Sequence, residues 1–312
     1  MTEQSVPRAD PYRVAVGICT YHREQVVVDL IERIADLICR EGPSDTAIVV
    51  VDDSPDATAE VPIRAVAARL RVRVDYIAVR AQNIAIARNA AIAATAAIGH
   101  YVVCIDDDCV PSEGWLRELV RVADTHQAEM VIGHHEYVPG PDAPRWIRAD
   151  TFLMDHAVYP DESVTEGSST ASFLIRSDWL RSSGVAFRNA FGRSGGEDMV
   201  FFADARAAGA TVRFAAKSVV REPYTGGRTT FRYQLWRQVW MGNNEAAINR
   251  RTQQWTSRRL VLRGLRRAAS GAVLPARQLF RREPVDVRWS IAIVGKGLGL
   301  VLGVLGIELN HR

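Results

Sequence analysis

The first half of the chain alternates short apolar runs with amphipathic stretches. The apolar runs are rich in β-branched residues, as expected of strands buried in a parallel sheet, and the stretches between them carry apolar residues at helical spacing. Strands are predicted at Arg13–Cys19, Ala47–Val51, Val72–Val79 and Tyr101–Asp106, and helices at Glu24–Cys39 and Ile84–Ala97. Strands that alternate with helices form βαβ units, so the pattern predicts an α/β fold with a mostly parallel sheet.

The second half of the chain is less regular. Strands are predicted at Met130–Val138, Thr170–Arg176 and Ser218–Tyr224, and the first two are separated by a loop rich in Gly, Pro and Asp. Glu197 and Asp198 directly precede a predicted apolar helix that begins at Met199 and ends near Gly209. Carboxylates at a helix N-terminus can serve merely as caps that the helix dipole favours.

Polar side chains follow each of the first four predicted strands. The clusters are Thr20–Arg23, Asp52–Ser54, Asn83 with Arg88 and Asn89, and Asp106–Asp108. In open α/β sheets, ligands bind beyond the carboxyl ends of the strands. Several polar clusters at the same edge therefore predict a binding site there.

Three consecutive aspartates, Asp106–Asp108, end the apolar run YVVCI. Without a counter-charge their carboxylates would repel one another, so solvent or a cation must meet them. Carboxylate oxygens are ligands that Mg²⁺ and Mn²⁺ prefer, and such a metal can bind phosphate oxygens in turn. Alternation along a strand predicts that Asp106 and Asp108 share a face while Asp107 points away from them. Arg88 could add a cation that pairs with phosphate.

Composition and short motifs exclude several classes of protein. Apolar residues make up 47% and charged residues 24%, as in an ordinary globular protein. No G-x-G-x-x-G follows the first strand and no P-loop sequence occurs, which argues against a dinucleotide cofactor and against a P-loop phosphate site. The N-terminus has no apolar segment after a basic start, so no signal peptide is expected and a cytoplasmic location is predicted.

Cysteines and histidines give no metal signature. The four cysteines form no C-x-x-C pair and have no histidine at metal-ligand spacing, which argues against a zinc site. Reduced, partly buried thiols suit a cytoplasmic compartment. His22, His134 and His135 are interpreted as surface residues and are not included among the metal ligands. Trp115 fits a helix that packs on the sheet.

The C-terminal stretch is rich in arginine. Leu260, Val261, Leu262 and Leu265 alternate with arginines at helical spacing, as in an interfacial helix on anionic lipid. The segment 289–309 is about as long as a membrane span, but Lys296 and several glycines weaken that interpretation. A monotopic or re-entrant membrane contact is preferred; a single span and a soluble packed helix are the alternatives. Nucleic-acid binding is disfavoured, because the arginines are not interleaved with aromatic residues that could stack on bases.

A series of motifs carries a family resemblance. The stretches VGICTYHRE, IVVVDDSPDAT, AQNIAIARNAAI, VVCIDDDC and GGEDMVFF, in this order, resemble the motifs of family 2 glycosyltransferases with the GT-A fold. The stretch REPYTGGRTTFRYQLWRQVWMGNNEA is similar in particular to bacterial exopolysaccharide glucosyltransferases of the succinoglycan type. The resemblance covers roughly residues 13–245. It implies a Rossmann-like, mostly parallel central sheet flanked by helices, with a C-terminal helical extension.

The resemblance also implies a division of the chain. Residues 1–12 are expected to be disordered or loosely packed, residues 13–248 to form the GT-A domain, and residues 249–312 to form basic amphipathic and hydrophobic helices.

Site roles follow from the same resemblance. Asp106 and Asp108 correspond to the family's D-x-D motif, which implies Mg²⁺ or Mn²⁺ as cofactor and Asp108 as the direct metal ligand. Glu197 and Asp198 correspond to the acidic pair, in which Asp198 is the general base. Residues implied in nucleotide-sugar binding are Thr20, Arg23, Asp52, Asp53, Asn83, Arg88, Asp106, Asp107 and Ser172.

Two positions depart from the family pattern. Many relatives carry a histidine metal ligand beyond the acidic pair, where this chain has Arg221 or Glu222. Many also carry Asn where this chain has Ser172, so the contact to the donor sugar is altered or lost.

The expected function is an inverting, metal-dependent transfer of a sugar from a nucleotide-sugar, in the first place a UDP-sugar, to a saccharide or lipid-linked saccharide. The expected place of action is the inner face of the cell membrane. The alternative is a catalytically inert, membrane-associated nucleotide-sugar binding protein. Which sugar is transferred and which linkage is made depend on the shape of the pocket.

Overall fold

A computed structural model describes residues 12–41, 43, 45–147, 159–167, 169–193, 195–252, 255–307 and 309. The strands are β1 Tyr12–Thr20, β2 Thr46–Asp52, β3 Arg73–Ala78, β4 Gly99–Asp106, β5 Val110–Pro111, β6 Met130–Pro139, β7 Ser172–Arg176 and β8 Val212–Tyr224. The helices are α1 Glu24–Glu41, α2 Glu60–Ala67, α3 Ile84–Ala96, α4 Trp115–His126, α5 Ser177–Ser183, α6 Glu197–Ala207, α7 Phe231–Thr252, α8 Ser257–Phe280 and α9 Val287–Val304.

The strands form one sheet in the order β3-β2-β1-β4-β7-β6-β8-β5. β1 pairs in parallel with β2 and β4, and β2 pairs in parallel with β3. β7 is antiparallel to β4 and to β6, and β5 is antiparallel to β8. The predicted parallel α/β sheet is therefore confirmed for the first four strands, and the irregular second half adds the antiparallel part.

Alternation along the strands creates two apolar faces. Val16 of β1 and Val103 of β4 pack on one face with residues of α1 and α4, whereas Val102 of β4 packs on the other face with residues of α3 and α6. Trp115 is fully buried in the first of these faces, as the sequence predicts. Because helices cover both faces, the polar ends of the strands are left to form the site.

The described residues divide into two compact units. The first comprises Met1–Glu136, Val158–Phe187 and Phe201–Glu222, and holds nearly all of the sheet. The second comprises Tyr137–Ala157, Arg188–Val200 and Pro223–Arg312, and holds α7, α8 and α9. In the second unit α9 packs against both α7 and α8.

Several element boundaries differ from the prediction. Helix α6 begins at Glu197 rather than at Met199, so both carboxylates belong to its first turn. Helix α2 was not predicted, because it is short and has a narrow apolar face. The predicted domain boundary between residues 248 and 249 falls inside α7. Of the predicted loose N-terminus, residues 1–12, only Tyr12 is described, and it begins β1.

Candidate active site

The acidic end of β4 is held by two arginines. Asp106 is the last residue of β4, and Arg88 Nη2 donates to its Oδ1 at 2.9 Å. Arg23 Nη1 donates to Asp107 Oδ1 at 2.7 Å and to Asp108 Oδ2 at 2.9 Å. The prediction that Asp107 points away from Asp108 is therefore wrong: the strand ends at Asp106, and the turn that follows presents both carboxylates to one guanidinium.

Asp107 is the buried member of the three aspartates. The Thr20 hydroxyl donates to its Oδ2 at 2.9 Å, which ties the ends of β1 and β4 together. Burial raises the pKa of Asp107 to about 6, although the Arg23 guanidinium and the Thr20 hydrogen bond favour its ionised form. Asp106 and Asp108 remain partly exposed, with side-chain exposures of 37% and 24%.

Arg88 is positioned by helix α3. The helix begins after Asn83, whose side-chain oxygen accepts hydrogen bonds from the N–H groups of Ala85 and Ile86. The Arg88 guanidinium also lies 5.7 Å from the ring centroid of Phe187. This ring and the Asp106 carboxylate fix the guanidinium at the strand end.

Asp52 and Asp53 shape the loops of the site. Asp52 is fully buried and accepts hydrogen bonds from the Ser54 N–H, the Ala59 N–H and the Tyr76 hydroxyl. Asp53 is also buried, and its carboxylate accepts the N–H groups of residues 81, 82 and 83 at 2.6–2.9 Å. Both carboxylates thus fix loop backbone, and contact of either with a base or ribose stays a prediction.

The loops at this edge contain left-handed backbone. His22 has φ 50°, Arg80 has φ 58° and Gln82 has φ 50°. Such conformations are uncommon for residues other than glycine, and surrounding hydrogen bonds must stabilise them. The Asp53 carboxylate provides this at Gln82, and the Ser54 hydroxyl accepts the His22 N–H at 2.9 Å.

Ser172 has a structural partner. It is buried at the start of β7, and its hydroxyl oxygen accepts a hydrogen bond from Trp115 Nε1 at 2.7 Å. This bond joins the start of β7 to the first residue of α4. An altered or lost contact between this position and the donor sugar stays a prediction.

The two candidates for the family histidine position face opposite sides of β8. Arg221 Nε donates to Glu136 Oε2 at 2.9 Å on the exposed side. Glu222 lies on the buried side, with its Oε2 3.1 Å from His135 Nε2, and Cys109 completes a cluster with them. Sequence reasoning missed this cluster, because its members are separated by 26 and 87 residues and come from three strand regions. The interpretation of His135 as a surface residue was wrong, since it is buried in β6.

The acidic pair belongs to the second unit and begins α6. Glu197 is buried and Asp198 is half-buried. Gly195 and Gly196 precede them with φ 84° and 83°, a left-handed conformation that glycine adopts readily. A Cβ on Gly195 would overlap the Trp240 ring, and a Cβ on Gly196 would overlap Asn244. The two glycines therefore let this turn pack directly on α7, which places the pair.

The end of β4 has the donors that a hard divalent cation requires. Asp106 and Asp108 offer carboxylate oxygens, and both are accessible to solvent. Asp108 Oδ2 accepts a hydrogen bond from Arg23, and Asp106 Oδ1 accepts one from Arg88. The residues therefore fit a Mg²⁺ or Mn²⁺ ion.

The chain matches two family models and one curated relative. The model of the family described as "Glycosyl transferase family 2" matches residues 15–182, and that described as "Glycosyl transferase family group 2" matches residues 101–304. The succinoglycan biosynthesis protein ExoM of Rhizobium meliloti (strain 1021) is 28% identical over 237 residues, which are 75% of this chain and 74% of ExoM.

Solved structures of Staphylococcus aureus TarS have a similar fold. The alignment to the longer TarS chain has a TM-score of 0.54 at 14% identity, and covers 94% of this chain but only 55% of that chain. TarS residues 1–349 in complex with UDP-GlcNAc align with a TM-score of 0.53 at 13% identity, covering 94% of this chain and 91% of that chain. The family models together extend over most of the described chain, and the solved structures share its architecture. The chain therefore belongs to glycosyl transferase family 2 and is a glycosyltransferase with the GT-A fold.

Proposed function

We propose that this enzyme transfers a sugar from a UDP-sugar to a saccharide or lipid-linked saccharide, with inversion at the anomeric carbon, in exopolysaccharide synthesis. The observation that carries the proposal is the cluster at the end of β4, where Asp106, Asp107 and Asp108 meet Arg23 and Arg88. Such a set of charges suits a diphosphate and its counter-ion. The likeness to ExoM supports the pathway, and that to TarS with UDP-GlcNAc supports the donor class.

The donor pocket is proposed to lie at the carboxyl ends of β1, β2 and β4. Thr20 is paired with Asp52 in the sheet register, and Cys19 is paired with Asp106, so these ends are adjacent. Asp52 and Asp53 hold the loops for the base and ribose, and Asn83 starts the helix that carries Arg88. Arg23 and Arg88 orient the carboxylates and bring positive charge toward a diphosphate.

Asp106 and Asp108 are the proposed metal ligands. A divalent cation bound there supplies positive charge that stabilises the departing nucleoside diphosphate. Asp107 keeps its hydrogen bonds to Thr20 and Arg23 and stabilises the turn after β4.

Asp198 is the proposed general base. It takes the proton of the acceptor hydroxyl as that oxygen attacks the anomeric carbon. It lies in the first turn of α6, and its Oδ1 accepts a hydrogen bond from the Met199 N–H at 2.7 Å. Glu197, which is buried beside it, helps to fix the turn.

The donor and the metal are tested together by nucleoside diphosphate release. Wild-type protein is incubated with UDP- and GDP-sugars in Mn²⁺, Mg²⁺ or EDTA. We expect slow hydrolysis of one UDP-sugar, its loss in EDTA, and a loss of about 100-fold in Asp108→Asn. Asp75→Asn changes a partly exposed carboxylate of β3; it is the matched control and should retain full activity. Equal activity of Asp108→Asn and wild type, or turnover that survives EDTA, would contradict the metal assignment.

A membrane contact through the second unit is part of the proposal. Helix α8 contains no acidic residue. Its exposed apolar and alanine side chains span about 120° at 3.6 residues per turn, with Ala272 and Leu279 at one edge, and the other six form a stripe about 80° wide. The stripe consists of Leu262, Leu265, Ala269, Val273, Ala276 and Phe280.

The charge around this stripe suits an anionic lipid surface. Exposed arginines at positions 259, 266 and 277 border it, while Leu260, Gly264 and Gly271 face the other way and are buried. An apolar stripe bordered by arginines is typical of a helix that lies in the membrane interface. Of the described helices, one, Val287–Val304, is long and apolar enough to cross a membrane, and 39% of it is buried inside the protein. We propose an in-plane contact through α8.

Flotation with vesicles tests the in-plane contact. The full chain is mixed with vesicles of phosphatidylcholine, with or without phosphatidylglycerol. We expect flotation with the anionic vesicles, reduced about tenfold by each of Leu265→Asp and Val273→Asp, because each change removes an apolar side chain from the interface. Val61→Asp is the control, since Val61 is an exposed apolar residue of α2. Equal flotation of all four proteins would contradict a role for this stripe.

A further inference from the structure

A cluster of three potential metal ligands lies at the far end of the sheet from β3. Cys109 directly precedes β5, His135 belongs to β6, and Glu222 belongs to β8. One ligand atom from each lies within 4.8 Å of the other two. In tetrahedral zinc coordination two ligand atoms lie about 3.3–3.8 Å apart, because each bond is about 2.0–2.3 Å long. Side-chain movements that shorten the longest separation by about 1 Å would therefore bring all three onto one ion.

The sheet itself holds these residues together. Val110 is paired with Arg221, so the neighbouring residues Cys109 and Glu222 lie side by side. β6 is the next strand to β8, which brings His135 to Glu222 at 3.1 Å. Strand pairing fixes His135 and Glu222, and Cys109 is held next to them by the β5–β8 pair that it precedes and by its N–H bond to the Asp106 carbonyl oxygen.

All three side chains are withdrawn from solvent. The side-chain exposures of His135 and Glu222 are 7% and 12%, and Cys109 is 2% exposed. A buried carboxylate is costly unless a cation or several hydrogen bonds compensate it.

The field at this cluster is negative. The carboxylates of Asp106, Asp108 and Glu222 all interact electrostatically with Cys109. Negative charge of this kind favours a divalent cation.

The donor set indicates which cation would bind. One sulfur, one imidazole nitrogen and one carboxylate oxygen are ligands that zinc takes in proteins, whereas Mg²⁺ prefers oxygen alone. We propose that Cys109, His135 and Glu222 form a site for a borderline divalent cation such as Zn²⁺, different in donor chemistry from the oxygen ligands Asp106 and Asp108. On binding, the metal–sulfur bond replaces the S–H bond of Cys109, and the thiol proton passes to solvent. The ion would link β5, β6 and β8 and offset part of the negative charge.

Cobalt tests this site without any sugar donor. Co²⁺ is added to the full-length, reduced protein, and the thiolate-to-cobalt charge-transfer absorption is followed in the near ultraviolet. We expect the band to saturate at one equivalent of Co²⁺, to vanish in Cys109→Ser, and to need at least about tenfold more Co²⁺ in His135→Gln. Excess Mg²⁺ should leave the band unchanged, because thiolate selects against Mg²⁺.

The control is Cys39→Ser, which removes an exposed cysteine at the end of α1 and should retain the band. X-ray absorption of the zinc-loaded wild type gives a second readout, should Cys109→Ser fail to fold. It should show one sulfur neighbour at about 2.3 Å. A first shell of oxygen and nitrogen only, or a charge-transfer band that persists in Cys109→Ser or is displaced by Mg²⁺, would overturn the proposal. None of these readouts depends on sugar transfer, so their failure leaves the proposed function unaffected.

Discussion

Asp198→Asn is expected to lower the rate of UDP-sugar hydrolysis by about 10²–10⁴-fold, the usual contribution of a general base. Asparagine has nearly the same shape and can still accept the hydrogen bond that Asp198 Oδ1 takes from the Met199 N–H, so the start of α6 should stay intact. It cannot take the proton of the attacking hydroxyl. The measurement compares kcat for nucleoside diphosphate release with donor affinity from calorimetry. We expect kcat to fall and the affinity to stay within about twofold.

Asp204→Asn is the matched control for this experiment, because Asp204 lies on the same helix beyond the first turn. It should leave kcat unchanged. A similar fall in both variants would assign the effect to the charge or stability of α6. Full activity of Asp198→Asn would remove Asp198 from the role of base.

Gly242→Ala is expected to destabilise the second unit by about 2–3 kcal/mol, the usual cost of overfilling a packed contact. A Cβ on Gly242 of α7 would overlap the carbonyl oxygen of Lys296 in α9, and a Cβ on Gly299 of α9 would overlap that of Val239 in α7. The two helices thus touch backbone to backbone. Intrinsic helix propensity alone predicts the opposite sign, a gain of about 1 kcal/mol for alanine.

Thermal unfolding followed by circular dichroism distinguishes a loss of stability from a gain. We expect the unfolding temperature of the second unit to fall by roughly 5–10 °C. Gly227→Ala is the control, since a Cβ there meets no atom within 4 Å. A rise in the transition temperature of Gly242→Ala would show that α7 and α9 do not approach as closely as described.

Because α7 also packs against Gly195 and Gly196, we expect Gly242→Ala to impair turnover through the position of Asp198.

The acidic end of β4 shows how far sequence reasoning reached at the site. An apolar run that ends in three aspartates predicted a cation-binding edge, and the structure places Arg23 and Arg88 on those carboxylates. The direction in which the Asp107 side chain points was not predictable from the sequence. It depends on where the strand ends, and one residue more or less in a strand reverses the side to which a side chain points.

The sequence by itself determined the fold class, the order of the first four strands and helices, and the residue types at the strand ends. These are local properties: the apolar period separates strand from helix, and βαβ connections leave few topologies. Only the tertiary structure decided which distant residues meet. Cys109, His135 and Glu222 come together because β5, β6 and β8 lie at one edge of the sheet, and α7 and α9 come into contact because glycines coincide where they cross. The strand order in the antiparallel part and the crossing of the helices are set by packing of the whole chain. They cannot be read from the spacing of residues along the sequence.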